Sequence, residues 1–352
     1  MLVETKEAIF ESYFQHAQVE ITGYCNMRCE HCRAYEEENR NMELSLYSKI
    51  LDFIDLNRAE DFRLTISGGE PFINKNIVEY LRLAKERSID NIIITTNASL
   101  VSDEKLAELD SLNINNLCIQ VSLDSVNRET HDTFRHFIGA YDKAIEVLKK
   151  VKNYPHLKSS IRMSVVRGTI GEVEEMIDMA YSMGVDRIGI GAVIPVGAGK
   201  DGRLTISKEE KRHFLEILAA KKREYLPKME VTTEDPLKFL VADSPWAYGS
   251  CSQDSDFWGG CTAGISGFNV NVEGIITPCA VLMSEEIVDM NRVSAEEAVL
   301  QYVSHPTIIK LFERNFSGKC KACRLKYACG GCRATAKSLT GDLMGNDPTC
   351  WR

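Results

Sequence analysis

The sequence QVEITGYCNMRCEHCRAY, residues 18–35, joins a short run rich in β-branched and apolar residues to three closely spaced cysteines. The run QVEIT (18–22) has the composition of a buried strand. Cys25, Cys29 and Cys32 follow it with the spacing C-x3-C-x2-C. Three thiols on one loop can hold three irons of a [4Fe–4S] cube and leave the fourth iron open to another ligand. The pattern therefore predicts an iron–sulfur site directly after the first strand.

Two other uses of cysteine have to be weighed, because the chain contains 12 of them. Disulfides are typical of small secreted domains, but this sequence starts without a basic segment followed by an apolar core. Metal binding in a cytoplasmic protein is therefore favoured. A zinc knuckle completed by His31 is the alternative at the first three cysteines, although this ring lies between two thiols in a tight loop.

Repeated βα units extend outward from the cysteine loop. Strand-like runs alternate with segments of helical periodicity, and such units form either a doubly wound sheet or a barrel. Periodicity leaves this choice open, but in both folds ligands bind at the carboxyl ends of the strands. The six predicted strands are residues 18–22, 62–69, 91–97, 117–124, 160–167 and 187–195.

Start and stop signals define several helices. Ser102 and Gly184 occupy plausible N-terminal and C-terminal positions of two of them. Residues 205–226 predict a further helix, in which Ser207 and Glu210 have the spacing of a capping box. Beyond about residue 250 the βα pattern ends and the chain becomes rich in glycine and cysteine, as expected where metal clusters supply order.

Polar and glycine residues recur where the predicted strands end, and they resemble known motifs. The order of C-x3-C-x2-C and then Gly68-Gly69-Glu70-Pro71 resembles the radical S-adenosylmethionine (SAM) superfamily. The resemblance implies a partial (β/α)6 barrel and a site for SAM on the open iron. It also implies cofactor-binding roles for a set of residues. These are His31, Gly68, Gly69, Glu70, Pro71, Thr95, Asn97, Ser122, Asp124, Arg135, Val193 and Ile194.

Each of these residues also has an ordinary structural explanation. Glycines let the backbone approach a ligand closely, and either Glu70 or exposed carbonyls could accept the methionine ammonium. Asn97 and Asp124 could instead cap turns. Arg135 could be a surface helix residue, although its planar fork suits a carboxylate. Val193 and Ile194, expected to form an apolar wall for adenine, could equally belong to the core.

A second group of cysteines occupies the C-terminal region. Their order resembles the C-terminal extension called SPASM, which carries two auxiliary [4Fe–4S] clusters. A zinc ribbon or rubredoxin-like knot is the alternative, but it would use only four of the eight thiols. The eight are Cys251, Cys261, Cys279, Cys320, Cys323, Cys329, Cys332 and Cys350.

The resemblance also divides these thiols between two clusters. It assigns Cys261, Cys279 and Cys332 to the cluster nearer the active site, with Cys251 as a candidate fourth ligand. The outer cluster would take Cys320, Cys323, Cys329 and Cys350. The final C-x2-C departs from the C-x3-C of many members. Cys118, inside a predicted strand, is expected to be a buried apolar residue.

Four segments follow from this interpretation: a lead-in at 1–17, a radical SAM core at 18–200, a helical bridge at 201–250 and a small α+β auxiliary-cluster domain at 251–352. The resemblance implies three [4Fe–4S] clusters and reductive cleavage of SAM to a 5′-deoxyadenosyl radical that abstracts hydrogen from a substrate. It also implies an electron donor of the flavodoxin or ferredoxin type.

Two substrate classes remain open. Enzymes with this extension modify ribosomally made peptides or proteins, but only 24 residues precede Cys25, which is too few for a leader-reading domain. A separate peptide-recognition protein would then be needed. The segments HCRA (31–34), CGGCRATA (329–336) and TGDLMGNDPTCW (340–351) resemble tetrapyrrole-modifying members. Ala280 disfavours a sulfatase-maturing role, since that group has an acidic residue at this position.

Charge and hydropathy exclude other classes. The net charge of −9 and the absence of a clustered basic face disfavour nucleic acid and anionic membranes as partners. No apolar run approaches the ~18 residues that a membrane span needs. A non-catalytic electron carrier or metal-binding protein is the remaining alternative, but it would not need the polar residues at the strand ends.

Overall fold

The computed structural model describes residues 1–35, 38–245 and 259–352, and most of its strands belong to one large sheet. Within these residues the strands are β1 (Leu2–Glu4), β2 (Ile9–Glu11), β3 (Phe14–Thr22), β4 (Arg58–Gly68), β5 (Asn91–Thr96), β6 (Asn116–Ser122), β7 (Leu157–Val165), β8 (Arg187–Ala192), β9 (Glu230–Thr232), β10 (Gly267–Val270), β11 (Ile275–Thr277) and β12 (Val288–Asp289).

The order of the strands decides between the two folds that periodicity left open. The large sheet has the order β12-β11-β10-β3-β4-β5-β6-β7-β8-β9. Strands β3 to β9 are parallel and follow one another in chain order, whereas a doubly wound sheet reverses its order partway. The six predicted strands thus form an open βα barrel, which confirms the predicted fold class.

Helices follow most of the strands. They are α1 (Leu44–Asp55), α2 (Ile77–Glu86), α3 (Asp103–Ser111), α4 (Arg128–Arg135), α5 (Ala140–Val151), α6 (Val173–Ser182), α7 (Lys208–Tyr225), α8 (Ala295–Ser304), α9 (Pro306–Glu313), α10 (Gly318–Lys321) and α11 (Arg333–Thr340).

Local signals in the sequence account for the ends of several helices. The Ser102 hydroxyl accepts a hydrogen bond from the backbone N–H of Lys105 at the start of α3. Ser207 and Glu210 form both bonds of a capping box at the start of α7. Gly184 follows α6 with φ +65°, the left-handed conformation that glycine adopts without strain. These predicted caps are confirmed.

The C-terminal extension is continuous with the barrel. Strand β10 pairs in parallel with β3 and is followed by β11 and β12 in antiparallel pairing. The rings of Phe14 and Phe268, from these two paired strands, meet edge to face with centroids 4.6 Å apart. Both residues are buried, so the extension and the barrel share one apolar core.

The first residues also pack against the extension. Strands β1 and β2 form an antiparallel hairpin, and the rings of Phe10 and Phe312 lie 5.6 Å apart between β2 and α9. The Ser12 hydroxyl donates to the carbonyl of Ile265 at 2.7 Å. The hairpin therefore connects the start of the barrel to the C-terminal region. Among the described residues, no helix has the length and apolar character to cross a membrane.

Candidate active site

The inner face of the parallel sheet lines a chamber of about 760 Å³. In β7, Ile161, Met163 and Val165 are fully buried in the apolar core, whereas Arg162 and Ser164 line the chamber. Side chains alternate between the two faces of a strand, and β4, β6 and β8 show the same alternation. The strands therefore present an apolar face to the helices and a polar face to the chamber.

Most of the predicted site residues line this chamber, although they come from distant parts of the chain. Among the described residues, seven predicted site residues do not line it, namely Glu70, Pro71, Asp124, Cys320, Cys323, Cys329 and Cys350. The predicted residues that do are Cys25, Cys29, His31, Cys32, Gly68, Gly69, Thr95, Asn97, Ser122, Arg135, Val193, Ile194, Cys261, Cys279 and Cys332.

The N-terminal thiols, Cys25, Cys29 and Cys32, lie on the loop that leaves β3. The backbone N–H of Met27 points at Cys25 Sγ from 3.5 Å, and the amide nitrogen of Asn97 lies 3.9 Å from the same sulfur. Burial raises the pKa of the Cys25 thiol and the Met27 N–H lowers it, because a polar hydrogen aimed at sulfur stabilises the thiolate. Burial also raises the pKa of the Cys29 thiol, to about 11.

The glycine turn after β4 docks on the cysteine loop. The N–H groups of Gly69 and Glu70 donate to the carbonyls of Thr22 and Tyr24 at 2.7 and 2.8 Å. A Cβ on Gly68 or Gly69 would collide with these carbonyls. The sequence interpretation gave the glycines the task of letting the backbone approach a ligand, and the structure shows that they also let one loop approach the other.

Glu70 is fully buried behind this turn. Its carboxylate accepts hydrogen bonds from the Phe72 N–H at 3.1 Å, the Thr96 hydroxyl at 2.8 Å and the Asn97 N–H at 2.7 Å. Both oxygens are thus occupied by the protein. Glu70 does not line the chamber, and the choice between this carboxylate and backbone carbonyls as acceptors of the methionine ammonium stays a prediction. Pro71, in the same turn, is buried as well.

Asp124 and Arg135 form a buried ion pair. Arg135 donates from Nε and Nη2 to Asp124 Oδ2 at 2.8 and 2.6 Å, and the Ser164 N–H donates to Oδ1 at 2.8 Å. Burial opposes ionisation of Asp124, but Arg135 and nearby histidines outweigh it and lower its pKa to about 2. Asp124 therefore holds Arg135 and β7 in place. It does not line the chamber, and its direct contact with the cofactor stays a prediction.

Arg135 is the last residue of α4, a helix that the strand and helix patterns did not single out. The surface alternative for this residue is wrong, because only 7% of it is exposed. His131, from the same helix, accepts a hydrogen bond from the Asp124 N–H at 3.1 Å. The spacing His131-x3-Arg135 places both side chains on one helical face, which is the signal that could have identified His131.

His31 lies against Phe134 and faces the chamber. The two rings are parallel within 5° with centroids 4.7 Å apart. Burial lowers the pKa of His31 to about 4, so the ring is neutral at neutral pH. Its Nδ1 has no hydrogen-bond partner among the described residues, and a planar ring with one covered face is suited to stack against a base.

Arg33 connects the two cysteine regions, a role that sequence reasoning missed. Its guanidinium forms an ion pair with Glu20 at 2.7 Å and donates to the carbonyl of Ala280 at 3.1 Å. Arg33 directly follows Cys32, and Ala280 directly follows Cys279. The loop of the N-terminal thiols is thus fastened to the extension one residue from a cysteine on each side.

The extension thiols separate into two sets. Cys261, Cys279 and Cys332, called here the chamber thiols, face the same chamber as the N-terminal thiols. A second, smaller pocket is lined by the outer thiols, Cys320, Cys323, Cys329 and Cys350.

Electrostatic coupling follows the same division. Cys261 raises the pKa of both Cys279 and Cys332 in addition to burial, and Cys350 does so for Cys329. The division agrees with the assignment that the family resemblance implied. Cys251 lies outside the described residues, and Cys118 is buried in β6 and lines neither pocket.

Glycine and aspartate shape the loop between the two sets. Gly330 and Gly331 have φ of +69° and +61°, and the Gly331 N–H points at Cys329 Sγ from 3.3 Å. Asp347 is fully buried and accepts from the Cys332 N–H at 2.9 Å. The two sulfurs of this C-x2-C are thereby directed to different pockets, as the interleaved ligand pattern requires.

The donor atoms fit iron–sulfur clusters. Thiolates are the usual protein ligands of [4Fe–4S] cubes, and each set collects at least three of them at one pocket. No three His, Cys, Asp or Glu side chains in the described part of the chain are close enough to hold a single metal ion. The ligands of a cube bind different irons, so they need not converge on one point.

The comparisons with known proteins agree with this geometry. The Radical SAM superfamily model matches residues 19–192. The chain is 25% identical to the AdoMet-dependent heme synthase of Methanosarcina barkeri, covering 94% of each chain. It is 28% identical to the mycofactocin maturase MftC of Mycolicibacterium smegmatis, covering 94% of this chain and 81% of MftC.

A solved structure shows the same fold. The crystal structure of Streptococcus suis SuiB bound to S-adenosylmethionine superposes with a TM-score of 0.75 at 18% identity, covering 97% of this chain and 78% of SuiB. The fold and the site define an iron–sulfur enzyme built on a βα barrel. Residues 19–192 form a radical SAM domain, and a cysteine-rich C-terminal extension follows it. Such a domain implies that SAM and a [4Fe–4S] cluster are its cofactors.

Proposed function

We propose that this enzyme uses three [4Fe–4S] clusters to generate a radical on a substrate held in the barrel chamber. The N-terminal thiols would hold the cluster that binds SAM, and the chamber thiols and outer thiols would hold two auxiliary clusters. The single observation that carries the proposal is that the N-terminal thiols and the chamber thiols face one continuous cavity. A substrate in that cavity would lie between the two clusters.

The bond cleavage and the hydrogen abstraction would be carried out by SAM and the cluster that binds it. One electron from the cluster cleaves SAM to methionine and a 5′-deoxyadenosyl radical, which removes a hydrogen atom from the substrate. The protein would hold SAM against His31, Ser122 and the apolar residues Val193 and Ile194. Arg135, fixed by Asp124, would face the methionine carboxylate. The enclosing barrel limits access of water, and orientation supplies much of the rate.

The leading substrate class is a side chain of a ribosomally made peptide or protein. The support is the 28% identity to a maturase over 94% of this chain, together with a chamber that an extended peptide could enter. The external electron donor would be of the flavodoxin or ferredoxin type, and a separate recognition protein would present the peptide.

A tetrapyrrole is the second candidate, and a specific observation favours it. The similarity to the heme synthase covers 94% of both chains, so nearly every segment of that relative has a counterpart in this chain. The cavity of about 760 Å³ is within the usual range for sites that enclose small molecules.

Mass spectrometry of reaction mixtures distinguishes the two classes. Anaerobically reconstituted enzyme is incubated with SAM, a reductant and either candidate precursor peptides or siroheme-type tetrapyrroles. The proposal predicts substrate-dependent 5′-deoxyadenosine and a changed substrate mass, with deuterium transferred from a labelled substrate to 5′-deoxyadenosine. A change confined to the tetrapyrrole would overturn the leading class. Deoxyadenosine without any deuterium transfer would contradict hydrogen abstraction from these substrates.

A further inference from the structure

The middle of the barrel chamber is lined by arginines that the proposed chemistry does not use. Arg63 on β4, Arg162 on β7 and Arg187 on β8 all face the cavity. They occupy inward positions of their strands, and the residue that follows each of them is a buried apolar one, namely Leu64, Met163 or Ile188. Three guanidinium groups in one enclosed space are costly unless anions accompany them.

Acidic side chains compensate two of these charges only. Arg63 lies 3.3 Å from Glu234, and Arg187 lies 3.4 Å from Glu230. Arg162 has no carboxylate within ion-pair distance in the described part of the chain. The Nε atom of Arg63 is buried and has no hydrogen-bond partner among the same residues, whereas Arg187 faces Glu230 through its Nε. The chamber thus keeps an uncompensated positive charge and spare donors.

One glycine makes room for the Arg162 side chain. Gly191 occupies an inward position of β8, the strand that pairs with β7. A Cβ on Gly191 would lie 2.9 Å from Arg162 Nη2. Strand interiors disfavour glycine, so its use at this position has a local explanation in the space that the guanidinium occupies.

The surroundings of Arg162 favour an added anion. Burial lowers the pKa of Arg162, while Glu234 and Asp124 raise it and Arg187 lowers it. Arginine nevertheless stays protonated at physiological pH. His16, which also lines the chamber, has its pKa lowered by burial and adds no charge at neutral pH. A desolvated cation of this kind gains most from a bidentate carboxylate.

We propose that Arg162, with Arg63 and Arg187 beside it, binds a carboxylate of the substrate inside the barrel. The inference deepens the proposed function and rests on it for the identification of the bound molecule as substrate. Arg162 pairs in register with Ser122, and it lies two residues before Ser164, which also lines the chamber. The Arg162 guanidinium reaches towards Gly191, the residue that pairs with Ser164, so the carboxylate would be held at about the level of Ser164.

Paired probes that differ only in the carboxylate test this assignment. Binding to the reconstituted enzyme with SAM is measured by calorimetry for coproporphyrin III and its tetramethyl ester. A second arm uses a glutamate-containing peptide and its glutamine counterpart. We expect the acid of at least one pair to bind wild-type enzyme at least tenfold more tightly than its neutral partner. The pair that shows this preference identifies the source of the carboxylate.

Variants locate the preference. Arg162→Gln is expected to abolish the tenfold difference, and Gly191→Ala to reduce it by displacing the guanidinium. Lys158→Gln removes an exposed cation from the same strand and is expected to leave the difference unchanged. Because wild-type discrimination is measured without any variant, a folding defect in Arg162→Gln does not remove the test.

Three results would overturn the proposal. They are equal or absent binding of acid and neutral probes to wild type, discrimination that survives in Arg162→Gln, and a loss of SAM binding in that variant, which would assign the guanidinium to the cofactor. Uncoupled deoxyadenosine formation is measured in parallel. If it is absent from wild type while the carboxylate preference persists, the radical function fails and the binding site stands.

Discussion

Charges are compensated differently at the mouth of the barrel, where the strands end, and in the middle of its chamber. At the mouth, Asp124 neutralises Arg135 and Glu70 has both oxygens occupied by protein donors. In the middle, Arg162 has no acidic partner in the described part of the chain. A site whose polar groups are already fixed by one another is preorganised for a single constant ligand. A site with a spare cation is suited to a ligand that brings the opposite charge.

A second comparison concerns the cavities that the chamber thiols and the outer thiols face. The first set faces the cavity of the N-terminal thiols, and the second lies in a separate pocket. Among the described thiols of the extension, only the chamber thiols face the cavity in which the proposed substrate would lie. We infer that the outer cluster would act on the substrate through electron transfer alone.

The largest expected effect is the loss of substrate conversion when a chamber thiol is removed. Cys279→Ala, at the chamber, should reduce substrate conversion by roughly a hundredfold or more because it disturbs the position of the reacting groups. Uncoupled SAM cleavage should remain, since the N-terminal thiols are intact. Product and 5′-deoxyadenosine are quantified in the same reactions.

Cys323→Ala is the matched control in the outer pocket. Both variants should lose about four irons per chain, but added substrate should still alter the electron paramagnetic resonance spectrum of the remaining auxiliary cluster only in Cys323→Ala. A substrate-induced spectral change that persists in Cys279→Ala instead would contradict the division of the thiols.

The ion pair at the mouth is expected to have the next largest effect, on stability. Asp124→Asn leaves the buried Arg135 without its counterion and should lower the free energy of unfolding by about 3–5 kcal/mol. Chemical denaturation checks this value, with Arg135→Met combined with Asp124→Asn as the control that removes both charges. If the double variant is no more stable than the single one, the buried charge is not the cause.

The pH dependence of this pair has a definite sign. The pKa of Asp124 is lowered from 3.8 to about 2 in the folded chain. A depressed folded-state pKa stabilises the fold above the unfolded-state value. The contribution should be complete above about pH 4 and disappear as the pH falls towards 2. Protonated Asp124 leaves Arg135 without a counterion, as Asp124→Asn does at any pH, so wild type and the single Asp124→Asn variant should converge in stability over this interval. Convergence at higher pH would contradict the assignment.

A smaller effect is expected where the two cysteine regions are fastened together. Arg33→Met removes the hydrogen bond to Ala280 and the ion pair with Glu20, and should cost about 2 kcal/mol of stability. Arg33→Lys retains the positive charge but loses the planar guanidinium that makes both contacts, and it should lower the stability by a smaller amount than Arg33→Met. Thermal denaturation of both variants measures the difference. Equal losses would indicate that the charge is irrelevant and that packing of the side chain matters.

The sequence predicted the barrel strands because runs of β-branched residues are visible within short windows. The C-x3-C-x2-C spacing is visible in the same way, whereas the division of the extension thiols was implied by the family resemblance and stays a prediction. Strand β10 was missed because only four residues, Gly267–Val270, form it, and its pairing with β3 joins parts of the chain far apart in sequence. Helix α4 was missed because its average composition is strongly polar.

The roles of single polar residues were harder to predict. Glu70 and Asp124 are close to the site in sequence, but burial and hydrogen-bond saturation, which decide whether a carboxylate can bind a ligand, depend on tertiary packing. The polar interior of the barrel could have been predicted from the sequence. The period-two pattern of residues 160–167 places Arg162 and Ser164 on one face, but the β-branched composition of the run was interpreted as that of a buried strand.

The most direct test of the account is the iron and acid-labile sulfide content of anaerobically reconstituted protein, measured beside a 5′-deoxyadenosine assay. The account predicts about twelve irons per chain in wild type. A triple Cys25→Ala, Cys29→Ala, Cys32→Ala variant should contain about eight and form no deoxyadenosine, while Cys118→Ala should match wild type. Zinc in place of iron, or SAM cleavage that survives the triple substitution, would contradict it.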